Sequence, residues 1–249
     1  MRFVETVMGI PMSIDIRDGG DAAPAAERAF GVLRAADRRF STYRPDSEVS
    51  RANAGMREEQ PSADFEEVVA IGEAAAVASR GAFRVRRLDG TWDLDGVVKG
   101  WAAARAAREL DAAGFRDYCL NAGGDVIVSG SPGGGRPWTV GIRSPHSPAA
   151  MLTALQVTGG AVATSGAYER GEHIVDGRTG SPARSLLSAT VVADDLTTAD
   201  VWATAVFALG AEGIPLALAA GARGVLVVDA AGRPVAAGEL TFAPPASAA

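Results

Sequence analysis

Apolar runs of strand length occur in pairs joined by short turns, and stretches with helical spacing lie between the pairs. A regular βαβ repeat would instead follow every strand with its own helix. The pattern therefore predicts an α+β fold, with mostly antiparallel sheets and packed helices. Candidate strands cover 7–16, 117–121, 125–129, 137–142, 152–157, 187–193 and 223–229. Residues 132–135 (PGGG) read as a hairpin-like turn, and 223–238 as a second hairpin.

Four helices are expected. Residues 24–38 place Ala26, Phe30 and Leu33 on one face, with Pro24 in the first turn. Residues 63–79 follow Ser62, a good N-cap. Residues 97–112 end before Gly114, and 198–209 stop at Gly210. A weaker helix is expected over 213–220, and the tail 243–249 is expected to be disordered.

The 249 residues contain no linker-like stretch, so one domain covering 1–249 is expected. The net charge of −6 and the lack of a basic stripe exclude a nucleic-acid partner. No run approaches the roughly 18 apolar residues of a membrane span, so no membrane insertion is expected. Glu5 and Asp15 interrupt the start of the chain where a signal peptide needs an apolar core. The expected location is cytoplasmic, or that of a mature protein whose export segment is missing. Cys119 is the only cysteine, so an internal disulfide or a Cys-based zinc cluster is excluded.

Of 24 Lys and Arg residues, Lys99 is the only lysine. A lone lysine among arginines suggests either a site that needs a compact ammonium or the chance survival of a surface residue. In WDLDGVVKG, 92–100, Asp93 and Asp95 precede a glycine turn, and Lys99 opens a helix. That is a phosphate seat or simply a capped helix start. In TTADVWATAVFALG, 197–210, Asp200 and Thr204 share one helix face, with Trp202 nearly opposite. They offer two hard oxygens for Mg²⁺, or Asp200 only complements the helix end.

NAGGDVIVSG, 121–130, puts Gly123 and Gly124 inside a strand pattern, marking close ligand approach or a tight turn. TSGAYERGEHIVDGRTGSP, 164–182, is a turn-rich stretch carrying His173, either a base near neutral pH or a surface residue. Tyr43, in FSTYRPDSEVSRAN, either stacks on a planar ring or is a rim aromatic. His146, between two prolines, reads as plain loop.

Taken in order, these segments, together with MGIPMSIDI at 8–16, resemble the ApbE family of FAD:protein FMN transferases. The resemblance implies an ApbE-like α+β fold with a ligand groove between two lobes. It implies Mg²⁺-dependent cleavage of FAD and transfer of its FMN part to a Thr or Ser hydroxyl of an acceptor protein with an FMN-binding domain. AMP is released and a phosphoester formed. Alternative activities are Mg²⁺-dependent FAD hydrolysis to FMN and AMP, or FAD binding without catalysis. The family's metal ligands fall on Gly96, through its carbonyl, Asp200 and Thr204. Its FAD contacts fall on Met8, Tyr43, Ala82, Asp93, Lys99 and His173, and the catalytic assignments are His173 and Asp200.

Three departures from the family pattern stand out. Arg84 replaces a customary Asp in GAFRVRR, Asp95 replaces a Gly, and only LDGTW separates two segments that are usually much further apart. The chain therefore reads as a compact variant.

Overall fold

The computed structural model describes residues 1–56, 60–166 and 174–244. Its centre is an eight-stranded antiparallel sheet in the order β1-β2-β3-β4-β7-β10-β11-β12. These strands are β1 (Arg2–Val7), β2 (Ile10–Ile16), β3 (Tyr118–Ala122), β4 (Asp125–Ser129), β7 (Gly160–Gly166), β10 (Leu186–Ala193), β11 (Ala222–Asp229) and β12 (Pro234–Gly238). One face carries the helices α1 (Ala23–Phe40), α4 (Asp95–Ala112), α5 (Leu196–Leu209) and α6 (Gly213–Ala219). The other face is covered by the hairpin of β5 (Trp138–Ser144) and β6 (Ser147–Val157), whose Trp138, Ile142 and Leu155 pack on Val126, Val162 and Leu226. Helix α3 (Ala63–Ala78) lies outside α4 and α5.

This layering explains the patterns in the sequence. Strand β2 alternates between buried and half-buried residues, as an element covered mainly on one side should. β4 and β10 are covered on both sides and read as nearly unbroken apolar runs. α4 is rich in alanine because α1, α5 and the sheet all approach it, and Ala102, Ala103 and Ala106 are fully buried. The stretch Leu196–Ala219 is long and apolar enough to cross a membrane by composition. In this fold it is α5 and α6, separated by a turn at Gly210, and α5 is buried on nearly all sides against α4, β7 and β10.

Several boundaries differ from the sequence reading. Residues 7–16 are not one strand: the chain reverses at Met8 and Gly9, with φ of 54° and 72°, and forms the β1–β2 hairpin. The left-handed geometry at Met8 is uncommon for a side-chain-bearing residue and hides the turn from composition. β7 was unexpected because GAVATSG is poor in the bulky residues that mark strands. Small residues are needed there because α5 lies directly on this strand. The PGGG segment is not a hairpin turn, since it links β4 to β5, which belong to different sheets. His146 is not in a plain loop but in the tight turn between Ser144 and Ser147, a paired register of β5 and β6. A further helix, α2 (Glu48–Asn53), is too short for periodicity to reveal, though Ser47 caps it through the Ser50 amide. Of the tail, Ala243 is held by the Ala154 carbonyl, and residues 245–249 lie outside the described residues.

Candidate active site

The antiparallel registers bring one set of strand ends together. The Met8–Gly9 turn, the Gly123–Gly124 turn, the end of β7 at Gly166 and the start of β10 all lie at the same end of the sheet. Helix α4 starts at this end and α5 runs back towards it, so the two are antiparallel neighbours with Gly96 beside Thr204 and Gly100 beside Asp200. The Gly123–Gly124 pair is a tight turn, with φ of 69° and 115°. The turn delivers Asp125 as the first residue of β4, buried and pointing to the helical side.

There the charged residues converge. The Lys99 ammonium pairs with Asp125 Oδ2 and lies 3.3 Å from Asp200 Oδ1. Asp200 Oδ2 accepts the Gly100 amide at 3.0 Å, and Asp125 Oδ1 accepts the Thr164 amide at 2.9 Å. Thr204 Oγ1 lies 3.2 Å from Ser165 Oγ. Burial pushes the Asp200 carboxyl up to about 7, with Asp125 adding to the rise and Lys99 and the Gly100 amide opposing it. Two buried carboxyls face one ammonium, and a cation that displaced the Asp200 proton would offset the cost of burying its charge.

Asp200 is thus not a helix-end charge. Asp195 caps α5, accepting the Thr198 amide at 3.0 Å and the Thr198 hydroxyl at 2.7 Å, while Asp200 lies a turn further in and is 4% exposed. Nor does Lys99 open a helix. Asp95 and Gly96 are already helical, so the expected glycine turn is absent and Lys99 belongs to the second turn of α4. At the start of α4, Asp93 Oδ1 accepts the Asp95 amide at 3.4 Å, while its other oxygen receives Arg87 at 2.8 Å.

The donor set fits Mg²⁺. Asp200 supplies a carboxylate and Thr204 a hydroxyl, both hard oxygens. The Gly96 carbonyl is a third candidate, since a carbonyl has two lone pairs and can accept more than its helical bond. A Cβ on Gly96 would lie 3.0 Å from the Phe83 ring and 3.9 Å from Thr204 Cγ2, so this backbone packs against Thr204. Among the described residues no three Asp, Glu, His or Cys side chains gather into a cage.

The remaining candidates divide. Met8 is in the β1–β2 turn at the same sheet end. Ala82 is buried, and its carbonyl accepts the Gly177 amide at 2.8 Å, tying residues 174–183 to this region. Tyr43 is 93% exposed on the loop after α1. His173 lies outside the described residues. Arg84 turns to its own loop, donating to the Gly81 carbonyl at 3.2 Å, and its charge helps hold Asp176 below the usual carboxylate range after the larger effect of Arg178. The shortened stretch forms a compact turn closed by the Arg86–Trp92 bridge, with the Arg86 guanidinium 4.7 Å from the Trp92 ring centre. Two cavities, of about 470 and about 310 Å³, lie along α3 and include none of Lys99, Asp125 and Asp200. Asp125, Ser165 and Gly100 were missed in sequence. Asp125 alone left a signal, as the acidic residue opening an otherwise apolar strand.

Comparison with known proteins gives a consistent picture. Residues 8–93 and 85–226 match the sequence model of the ApbE family, and the two matches meet at the shortened stretch. A Rhodobacter capsulatus protein named FAD:protein FMN transferase is 41% identical over 143 residues, covering 54% of this chain and 27% of the relative. One of the same name from Klebsiella pneumoniae is 34% identical over 130 residues, covering 48% and 37%. The matched part thus spans between a quarter and two fifths of these relatives' length. The solved structure of the flavin transferase ApbE from Vibrio cholerae superposes with a TM-score of 0.82 at 22% identity, covering 97% of this chain and 96% of that one. This likeness establishes the mixed α+β fold.

Proposed function

The chain belongs to the ApbE family, and from that premise we propose that it transfers the FMN moiety of FAD to a Thr or Ser hydroxyl of an acceptor protein with an FMN-binding domain. In the reaction the acceptor oxygen forms a bond to the FMN phosphorus. The diphosphate P–O bond to the adenylate breaks, AMP leaves, and the hydroxyl proton goes to a base. The single observation that carries the reading is the junction of Asp200, Thr204 and Lys99 at one end of the sheet.

Asp200, Thr204 and the Gly96 carbonyl are the residues that would hold Mg²⁺. When bound, the ion neutralises diphosphate charge and makes AMP a better leaving group. Lys99 contributes a compact positive charge beside the same phosphates. Met8, Tyr43, Ala82 and Asp93 are assigned to FAD contacts, and His173 to accepting the hydroxyl proton or placing the phosphate. FAD would bind at this end of the sheet, beside these residues.

The test is incubation with FAD and Mg²⁺, with and without an acceptor carrying an FMN-binding domain. Flavin fluorescence that stays with the acceptor through a denaturing gel is the expected result. AMP release that needs no acceptor would replace transfer by hydrolysis. FAD retention with neither product would reduce the chain to a binding protein.

A further inference from the structure

Asp125 has no part in the reaction as assigned, yet it is buried beside Lys99, with 3% of its surface exposed. Its position is over-determined. The Gly123–Gly124 turn fixes where β4 begins, and the Thr164 amide holds Oδ1 at 2.9 Å. That leaves Oδ2 facing the Lys99 ammonium. Asp200 is arranged in the same way: the Gly100 amide holds Oδ2 at 3.0 Å, and Oδ1 faces Lys99 at 3.3 Å. Each carboxylate thus has one oxygen fixed by backbone and one turned to the shared ammonium. The contact to Asp125 is the closer of the two.

We propose that Asp125 is a positioning residue that holds the Lys99 ammonium beside Asp200 and not upon it, keeping Asp200 Oδ1 available to a divalent cation. The inference rests on the metal-binding reading of the site. Without the Asp125 charge, the Asp200 carboxylate at 3.3 Å is the ion-pair partner towards which the Lys99 ammonium is drawn. The ammonium then occupies the oxygen the cation needs. A background-charge role for Asp125 would weaken cation binding whether or not Lys99 were present. A positioning role acts through Lys99 and needs it.

A double-mutant cycle separates the two. The probe is Mn²⁺, followed by its electron paramagnetic resonance signal, titrated into the full chain with FAD present. Asp125→Asn keeps an acceptor for the Thr164 amide and removes the charge. It is expected to weaken Mn²⁺ binding roughly tenfold or more. In a Lys99→Met background the same change is expected to cost less than about threefold. If Asp125→Asn alone melts below the assay temperature, the Lys99→Met chain and the double variant still decide: a loss of about tenfold or more between them assigns Asp125 a background charge and overturns the proposal, and a loss below about threefold supports it. An equal loss in both backgrounds, or no loss in either, overturns the proposal. Failure of the unsubstituted chain to bind Mn²⁺ with FAD would overturn the metal-site reading itself, and the proposal with it.

Discussion

The Gly100 amide donates to Asp200 Oδ2 at 3.0 Å, joining α4 to α5 at the centre of the site. A Cβ on Gly100 would stand 2.8 Å from Asp200 Cβ and 2.5 Å from the Leu196 carbonyl oxygen, so only glycine allows this approach. Gly100→Ala would ordinarily favour a helix, by about 1 kcal/mol. Here overpacking is expected to prevail and destabilise the fold by about 1–3 kcal/mol, read as a lower midpoint in urea. A Gly100→Ala chain at least as stable as the parent would contradict the close helix contact.

Asp200→Asn should separate stability from function. The substitution leaves Lys99 paired with Asp125, so no buried charge is stranded, and the thermal midpoint should change little. Transfer activity should fall on the order of 10²–10³-fold, as when one charge-stabilising group is removed. Steady-state rates with FAD and Mg²⁺, beside a melting curve, test both parts.

Much of this was legible in sequence because the signals were local. Asp200 and Thr204 stand four apart in one helix, Ser62 and Gly210 punctuate helices, and Lys99 is conspicuous by composition. What escaped depends on long-range register. Asp125 reaches Lys99 across 26 positions, and Ser165 meets Thr204 across 39. No periodicity connects them. The Met8 turn was hidden because its left-handed backbone is carried by a residue that seldom adopts it.

Cys119 offers a check on the sheet that is independent of catalysis. Burial pushes its thiol up to about 11, with Asp15 adding to the rise. The folded chain therefore keeps its proton longer than the unfolded one. Between the ordinary thiol range and about pH 11 the unfolded state binds fewer protons, so stability falls as pH rises through that window. At pH 8 iodoacetamide should alkylate the native chain at least about tenfold more slowly than the chain in urea. Equal rates would mean that the β3 edge of the core is open.

Arg84→Asp introduces the residue type that the family resemblance implies at this position, but it is not expected to give a tighter site. It places a second carboxylate near Asp176 and removes the bond to the Gly81 carbonyl. FAD affinity should fall, by less than about fivefold, because both groups are near the surface. A direct FAD titration of the two chains decides it, and a clear gain in affinity would show that Arg84 obstructs FAD binding.

The central claim is that a cation held by Asp200 and Thr204 fixes the diphosphate of FAD. Isothermal titration calorimetry of FAD into the chain, in Mg²⁺ and again in EDTA, tests it most directly. The account predicts saturable binding in Mg²⁺ that weakens at least about tenfold in EDTA and in Asp200→Asn. FAD binding that ignores both the metal and the substitution, or no binding at all, would contradict it.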